Sequence, residues 1–188
     1  GSYWDLFFSY TLPSLLQQGN IPALAACGHE MEMTIYTRDG ERENILEQYE
    51  SRLALVKEYM PVNIISFGDP GRSRLLINAG LAQIQRCIDE DAMMFLTDPD
   101  IIFGNHSISN AVKLTEGKDV CMAAAHPRVS RESVLASETF SGLKRMDRTI
   151  ENDELVDLAF QHGHQQLLNS FDNTDYNCTR ATALSVRP

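Results

Sequence analysis

Hydrophobic positions change their spacing several times along this chain. Met31, Met33 and Ile35 alternate with Glu32 and Thr34, which predicts a strand ending at Tyr36-Thr37. From Ile45 the spacing lengthens: Ile45, Leu46, Tyr49, Leu53, Val56 and Met60 recur every three or four residues, predicting an amphipathic helix that Pro61 closes. Val62 to Phe67 follows as a short apolar strand, Gly68-Asp69-Pro70-Gly71 as a turn, and Ser73 as the N-cap of a helix reaching Ile88. Ala92 to Leu96 reads as a buried strand. Ser107 is expected to cap a helix to Thr115 that stops at Gly117, and Val120 to Ala125 to form a further buried strand. Outside this alternation, Trp4 to Leu16 forms an aromatic-rich helical pattern interrupted near Pro13, with Gly19-Asn20-Ile21-Pro22 as its turn. Asp153 to Leu168 is again helical. Strand and helix in strict succession predict an α/β protein, a three-layer α/β/α sandwich with a mostly parallel sheet.

Composition narrows the class. The chain has 188 residues, 43% hydrophobic and 22% charged, as expected for one compact domain spanning 3–188. Gly1-Ser2 reads as a cloning scar. A formal charge of -10 repels nucleic acid and anionic membrane faces, so a nucleic-acid partner is not expected. An anionic small ligand would need local cations or backbone amides. No apolar run approaches the ~20 residues of a membrane span, the start lacks the pattern of a secretory signal, and a cytoplasmic location is expected. Cys27, Cys87, Cys121 and Cys178 form no C-x-x-C pair and read as reduced thiols. The sequons at Asn105 and Asn177 read as chance occurrences.

The chemistry concentrates in Asp98-Pro99-Asp100, just beyond the apolar run at 92–96. In a parallel sheet, ligands bind outside the carboxyl ends of the strands. Thr37, Asp69 and the Asp98/Asp100 pair all follow expected strand ends. Two close carboxylates repel each other unless a cation neutralises them, and a hard divalent ion suits oxygen donors. Pro99 holds Asp98 extended, which splays the two side chains. By contrast, Asp89-Glu90-Asp91 reads as a solvated turn, and Asp-Pro-Asp alone also suits an ordinary turn.

The run "GRSRLLINAGLAQIQRCIDEDAMMFLTDPDIIFGN", Gly71 to Asn105, resembles the core of glycosyltransferases with the type A nucleotide-sugar fold. There a helix bearing a basic residue and an Asn, matched by Arg74 and Asn78, leads into a strand ending in an Asp-x-Asp signature, matched by Asp98 and Asp100. The opening "LPSLLQQGNIPALA", Leu12 to Ala25, is similar to a segment of uncharacterised bacterial proteins associated with sugar transfer. The likeness spans about Leu12 to Ala125. It implies that Asp98 and Asp100 hold Mn2+ or Mg2+ on the diphosphate of a nucleotide-sugar donor, with Tyr36, Thr37 and Asp69 near the nucleoside. It divides the chain into a nucleotide-binding part, about 28–126, and an acceptor part, about 127–188. The acceptor is a glycan, lipid or protein of unknown identity, and a homo-oligomer is compatible with the sequence.

Two departures from that family stand out. A further metal ligand is usual, and here the histidines are His126, after the 120–125 strand, and His162 and His164, about 200° apart on a helix. An inverting transferase also needs a base. Glu138 and Asp153 are the catalytic candidates, with Glu132 and Glu154 beside them, each more readily read as a surface or helix-terminal charge. Arg128 and Arg131 could meet a phosphate or an acidic acceptor, or sit in a solvated loop. Two alternatives remain: a nucleotidyltransferase, for which Thr37-Arg38-Asp39-Gly40 is a poor phosphate loop, and a non-catalytic binding module using the aromatic N-terminal helix as its contact surface.

Overall fold

The structure, a computed structural model, describes residues 3–68, 72–118 and 129–163, and at 72–76 and 78 the backbone only. Asp69, His126, Arg128, His164, Cys121, Cys178, Asn177 and the expected strand at 120–125 lie outside these residues. The described protein is mixed α/β, with two parallel strands in one open sheet. The chain separates into two compact units, one comprising Gly1–Phe8 and Ala25–Pro99, the other Ser9–Leu24 and Asp100–Pro188.

The first unit is built on the two strands found by periodicity. β1 (Met33–Arg38) runs one residue past the expected end, and β2 (Val62–Phe67) matches its expected bounds. They pair in parallel, Met33 beside Val62 and Arg38 beside Phe67. Parallel neighbours need a crossover, supplied by α4 (Arg42–Gln48) and α5 (Glu50–Lys57), which both pack on β2. The single helix expected from Ile45 to Met60 is therefore two, parted at Tyr49. The break has a cause: the Tyr49 ring stacks on Phe8 with centroids 4.1 Å apart, and its hydroxyl donates to Asp5 Oδ1 at 2.6 Å. Ile45, Leu53, Val56 and Met60 still face inward with Ile35 and Phe8, so the periodicity located the buried face correctly.

The N-terminal helical stretch spans both units: α1 (Tyr3–Leu6), a wide π turn (Phe7–Thr11) and α2 (Leu12–Leu15), with Pro13 accepted in the first turn of α2. Phe7, Phe8 and Tyr10 are buried. Of the aromatic stretch expected as a contact surface, these three are interior, whereas Tyr3 is exposed and Trp4 half-buried. The residues taken as its turn, Ile21 and Pro22, instead open α3 (Ile21–Ala26).

α6 (Arg72–Asp89) begins before Ser73, which is therefore inside the first turn and not its cap. Its other end is a left-handed C-terminal motif. Asp91 has φ 49°, Ala92 N–H donates to Cys87 C=O at 2.8 Å and Asp91 N–H to Ile88 C=O at 3.4 Å. The "solvated turn" is this cap. Beyond it Ala92 to Leu96 is not a strand: it is laddered to neither β1 nor β2, and Leu96 is 74% exposed. A short apolar run carries no signal for the partner edge that a strand requires, and among the described residues none pairs with it.

The second unit solves a different problem. Ile101 to Asn105 is irregular chain, yet Gly104 and Asn105 are buried, and buried peptide groups must find partners. Polar side chains from Ser14 to Asn20 meet them. Gln17 Nε2 donates to Phe103 C=O at 2.8 Å, and Phe103 N–H donates to Ser14 Oγ at 3.0 Å. Asn20, fully buried, donates through Nδ2 to Gly104 C=O at 3.1 Å and to Ser14 C=O at 2.9 Å, and accepts Ile108 N–H at 3.0 Å. Gln17 Oε1 accepts Ile150 N–H at 2.6 Å. In return Asn105 Oδ1 accepts Gly19 N–H at 2.8 Å, while its Nδ2 donates to Glu151 at 2.9 Å. Gly19 has to be glycine, because a Cβ there would overlap Asn105 Oδ1 and the His106 ring.

α7 (Ser107–Thr115) matches its expected bounds, but His106 in left-handed conformation (φ 64°) is the capping position. Ser107 is the first helical residue, and its hydroxyl donates to Asn152 Oδ1 at 2.6 Å. Then come α8 (Arg131–Ala136), capped by Ser130 Oγ, α9 (Glu138–Arg145) and α10 (Asn152–Gln161). α9 packs on α2, and Phe140, Leu143, Ile150 and Leu12 are buried in this unit's core. Among the described residues no helix is long and apolar enough to cross a membrane.

Removing the Asn20 amide strands several buried partners at once. Asn20→Ala is expected to lower stability by about 3 kcal/mol, and Asn20→Asp, which keeps the acceptor for Ile108 N–H but loses both donors, by nearly as much. Urea unfolding of the two variants against the wild type measures this.

Candidate functional site

Strand alternation sends neighbouring side chains to opposite faces of the sheet. Tyr36 and Thr37, both expected near a nucleoside, diverge for this reason. Tyr36 stacks on Phe67 (centroids 5.6 Å) and its hydroxyl donates to Gln83 of α6 at 2.8 Å. Burial pushes its phenol pKa up, against the nearby Arg86 guanidinium and with help from Glu32 and Cys87. Thr37 is buried on the other face, where its hydroxyl donates to Glu41 Oε2 at 2.7 Å at the start of α4. Trp4 Nε1 donates to the same carboxylate at 3.3 Å.

Glu41 is accordingly unusual. Burial alone would raise its pKa, but the hydrogen bonds from Thr37 and Trp4, a backbone hydrogen bond at Arg38 and the charge of Arg38 together lower it. The sequence pattern offered no sign of this group, since a lone Glu before a helix reads as a favourable first-turn charge.

At the carboxyl edge of the sheet stand Arg38 and Phe67, paired in register, followed by Asp39, whose N–H donates to Phe67 C=O at 3.0 Å. Arg38 is exposed. It is the described cation nearest the strand ends in sequence, and the reading of periodicity passed over it because the apolar alternation stops one residue earlier. Arg74 and Asn78 lie on α6, in its first and second turns.

Asp98 and Asp100 are exposed, and the division between the two units falls at Pro99, between them. Among the described residues the run before them is not paired as a strand. Among the described residues neither carboxylate is ion-paired. Two solvent-facing carboxylates are hard oxygen donors and suit Mg2+ or Mn2+ in chemistry. Among the described residues no three His, Cys, Asp or Glu side chains gather into a cluster. His162 ends α10, with its ring 6.4 Å from that of Phe140.

The catalytic candidates are tied up locally. Glu138 accepts from Arg145 at 2.8 Å, Asp153 accepts Glu154 N–H at 2.9 Å, Glu154 pairs with Arg148 and Glu132 accepts from Ser130. Arg131 starts α8. These are the helix-end roles that their positions also suggested.

The lowered pKa of Glu41 means that the fold favours its ionised form. That contribution is complete above the ordinary value of 4.5 and is lost as pH falls through the lower folded value. Glu41→Gln is expected to flatten the melting-temperature profile in this acid window and leave its slope at neutral pH unchanged, as measured by thermal melts from mildly acidic to neutral pH. Compared with protein-family models, with curated proteins and with solved structures, the chain has no match.

Proposed function

We propose that this chain is a metal-dependent glycosyltransferase of the type A nucleotide-sugar fold, a three-layer α/β/α domain over 3–188 acting in the cytoplasm. The observation that carries the reading is the parallel β1–β2 pair whose adjacent residues Tyr36 and Thr37 reach α6 and the start of α4 on opposite faces. Helices attached to both faces of a parallel pair are how nucleotide-binding α/β domains begin, and such sheets bind ligands beyond their strand ends. Asp98 and Asp100 would hold Mn2+ or Mg2+, His126 being the further candidate ligand. The metal would supply Lewis-acid stabilisation of the departing diphosphate.

The chain's own residues do the rest. Arg38 offers positive charge to a phosphate at the carboxyl edge, with Asp69, Arg74 and Asn78 as the remaining donor-binding candidates. Tyr36 and Thr37 act differently from the expectation of nucleoside contact: engaged with Gln83 and Glu41, they fix the strand end from either side and do not need to touch the donor. Glu138 and Asp153 stay the candidate bases for an acceptor hydroxyl. The acceptor is a glycan, lipid or protein.

Thermal melting with Mn2+ and a panel of nucleoside diphosphates tests this reading. One nucleotide is expected to raise the melting temperature only when metal is present, with saturation at 100 times its Kd corresponding to about 2.7 kcal/mol. Asp98→Ala and Asp100→Ala should each abolish the rise. A rise that survives both substitutions, or that triphosphates produce and diphosphates do not, removes the Asp pair or the transferase reading respectively.

A further inference from the structure

α6 has two faces, and its apolar one looks outward. Gln83 is bonded to Tyr36, Arg86 donates to Glu32 Oε2 at 2.7 Å and Ala79 is buried, so this side of the helix packs on the first unit. Ile77, Leu81, Ile84 and Ile88 lie on the opposite side, by the 100° step of a helix. They are 59%, 61%, 43% and 68% exposed. A helix with one solvated face should be polar there. Four large aliphatic residues in a row at spacings of four, three and four have instead the spacing of a two-helix coiled-coil seam.

We propose that two copies of this chain pair through α6, antiparallel, with Ile77, Leu81, Ile84 and Ile88 as the seam. Charge identifies a second copy as the occupant and sets its direction. The helix opens with Arg72 and Arg74 and closes into Asp89, Glu90 and Asp91. Antiparallel pairing brings each basic end to the acidic end of the other copy; parallel pairing sets like against like at both ends. The helix dipoles favour the same direction. Centring the twofold between Leu81 and Ile84 places Ile77 of one copy against Ile88 of the other and Leu81 against Ile84, so every seam residue meets a seam residue. This pairing is independent of the transferase reading, because no seam residue belongs to the candidate site.

Sedimentation velocity of the whole chain, up to about 100 µM, is the test, a range in which a homodimer interface of ordinary size is populated. A dimer is expected, and Leu81→Glu should weaken it by more than about 100-fold by placing a charge in the apolar seam. Leu81 is exposed in the single chain, so far-UV circular dichroism and melting of the variant should stay close to wild type. Direction is read by oxidising the Ile77→Cys/Ile88→Cys double variant and identifying the linked peptides by mass spectrometry. Within one helix these positions are about 16 Å apart, too far for a disulfide. A 77–88 bond is therefore intermolecular and antiparallel. A wild-type monomer at the highest concentration overturns the proposal and leaves the seam to a different protein or a further segment of chain. A dimer unaffected by Leu81→Glu, or links of 77 to 77 and 88 to 88, overturns it as well.

Discussion

Every peptide group removed from water has to be paired, and the two units of this protein meet that requirement by different means. In the first, backbone pairs with backbone: the β1–β2 ladder and its crossover helices satisfy one another. In the second, the partly buried irregular segment 101–105 pairs with no strand among the described residues, and Ser14, Gln17 and Asn20 act as surrogate strand, donating and accepting where a neighbour's backbone would. Asn105 reverses the arrangement by reaching back to Gly19. No buried side-chain nitrogen or oxygen among the described residues lacks a partner, which is the condition for such a polar core to specify one arrangement and not several.

That economy also decides what is available for chemistry. Asn105 heads a sequon, but its amide nitrogen is engaged with Glu151 and the residue is buried, so the folded chain offers no acceptor there. Tyr36 and Thr37 are each engaged in a hydrogen bond, to Gln83 and Glu41, on opposite faces of the sheet. Groups left for a ligand at the sheet's edge are those past the alternation, beginning with Arg38. Asp98 and Asp100 are exposed on the described chain, and Pro99 between them restricts Asp98 to extended backbone, which splays the pair.

Much of this was legible in the sequence where one periodicity held and a breaker closed it. β2 between Pro61 and Gly68, and α7 between His106 and Gly117, match their expected residues. The buried face of α4 and α5 was legible too, but not the break at Tyr49, which arises from a ring 41 residues earlier in the chain, Phe8. The same limit explains the run at 92–96. Its composition is that of a buried strand, yet strandhood belongs to a pair of segments, and a window of five residues describes only one of them. Ser73 and Ser107 fail as caps for a smaller reason: the helices start two residues and one residue earlier than these serines suggest, at Arg72 and, after a left-handed His106, at Ser107.

α6 shows why orientation is harder to read than existence. Its sequence has an amphipathic period, and the usual inference turns the larger apolar stripe toward the core. Burying Ile77, Leu81, Ile84 and Ile88 would be worth several kcal/mol by area alone, so something must hold the helix the other way. The restraints are polar: the Tyr36–Gln83 hydrogen bond and the Arg86–Glu32 pair, both of which tie α6 to the β1 segment. Exposed pairs of this kind contribute about 1 kcal/mol or less each, which is small against the area left uncovered. The imbalance is resolved if the stripe is buried after folding and not during it, which is what the proposed pairing through α6 supplies.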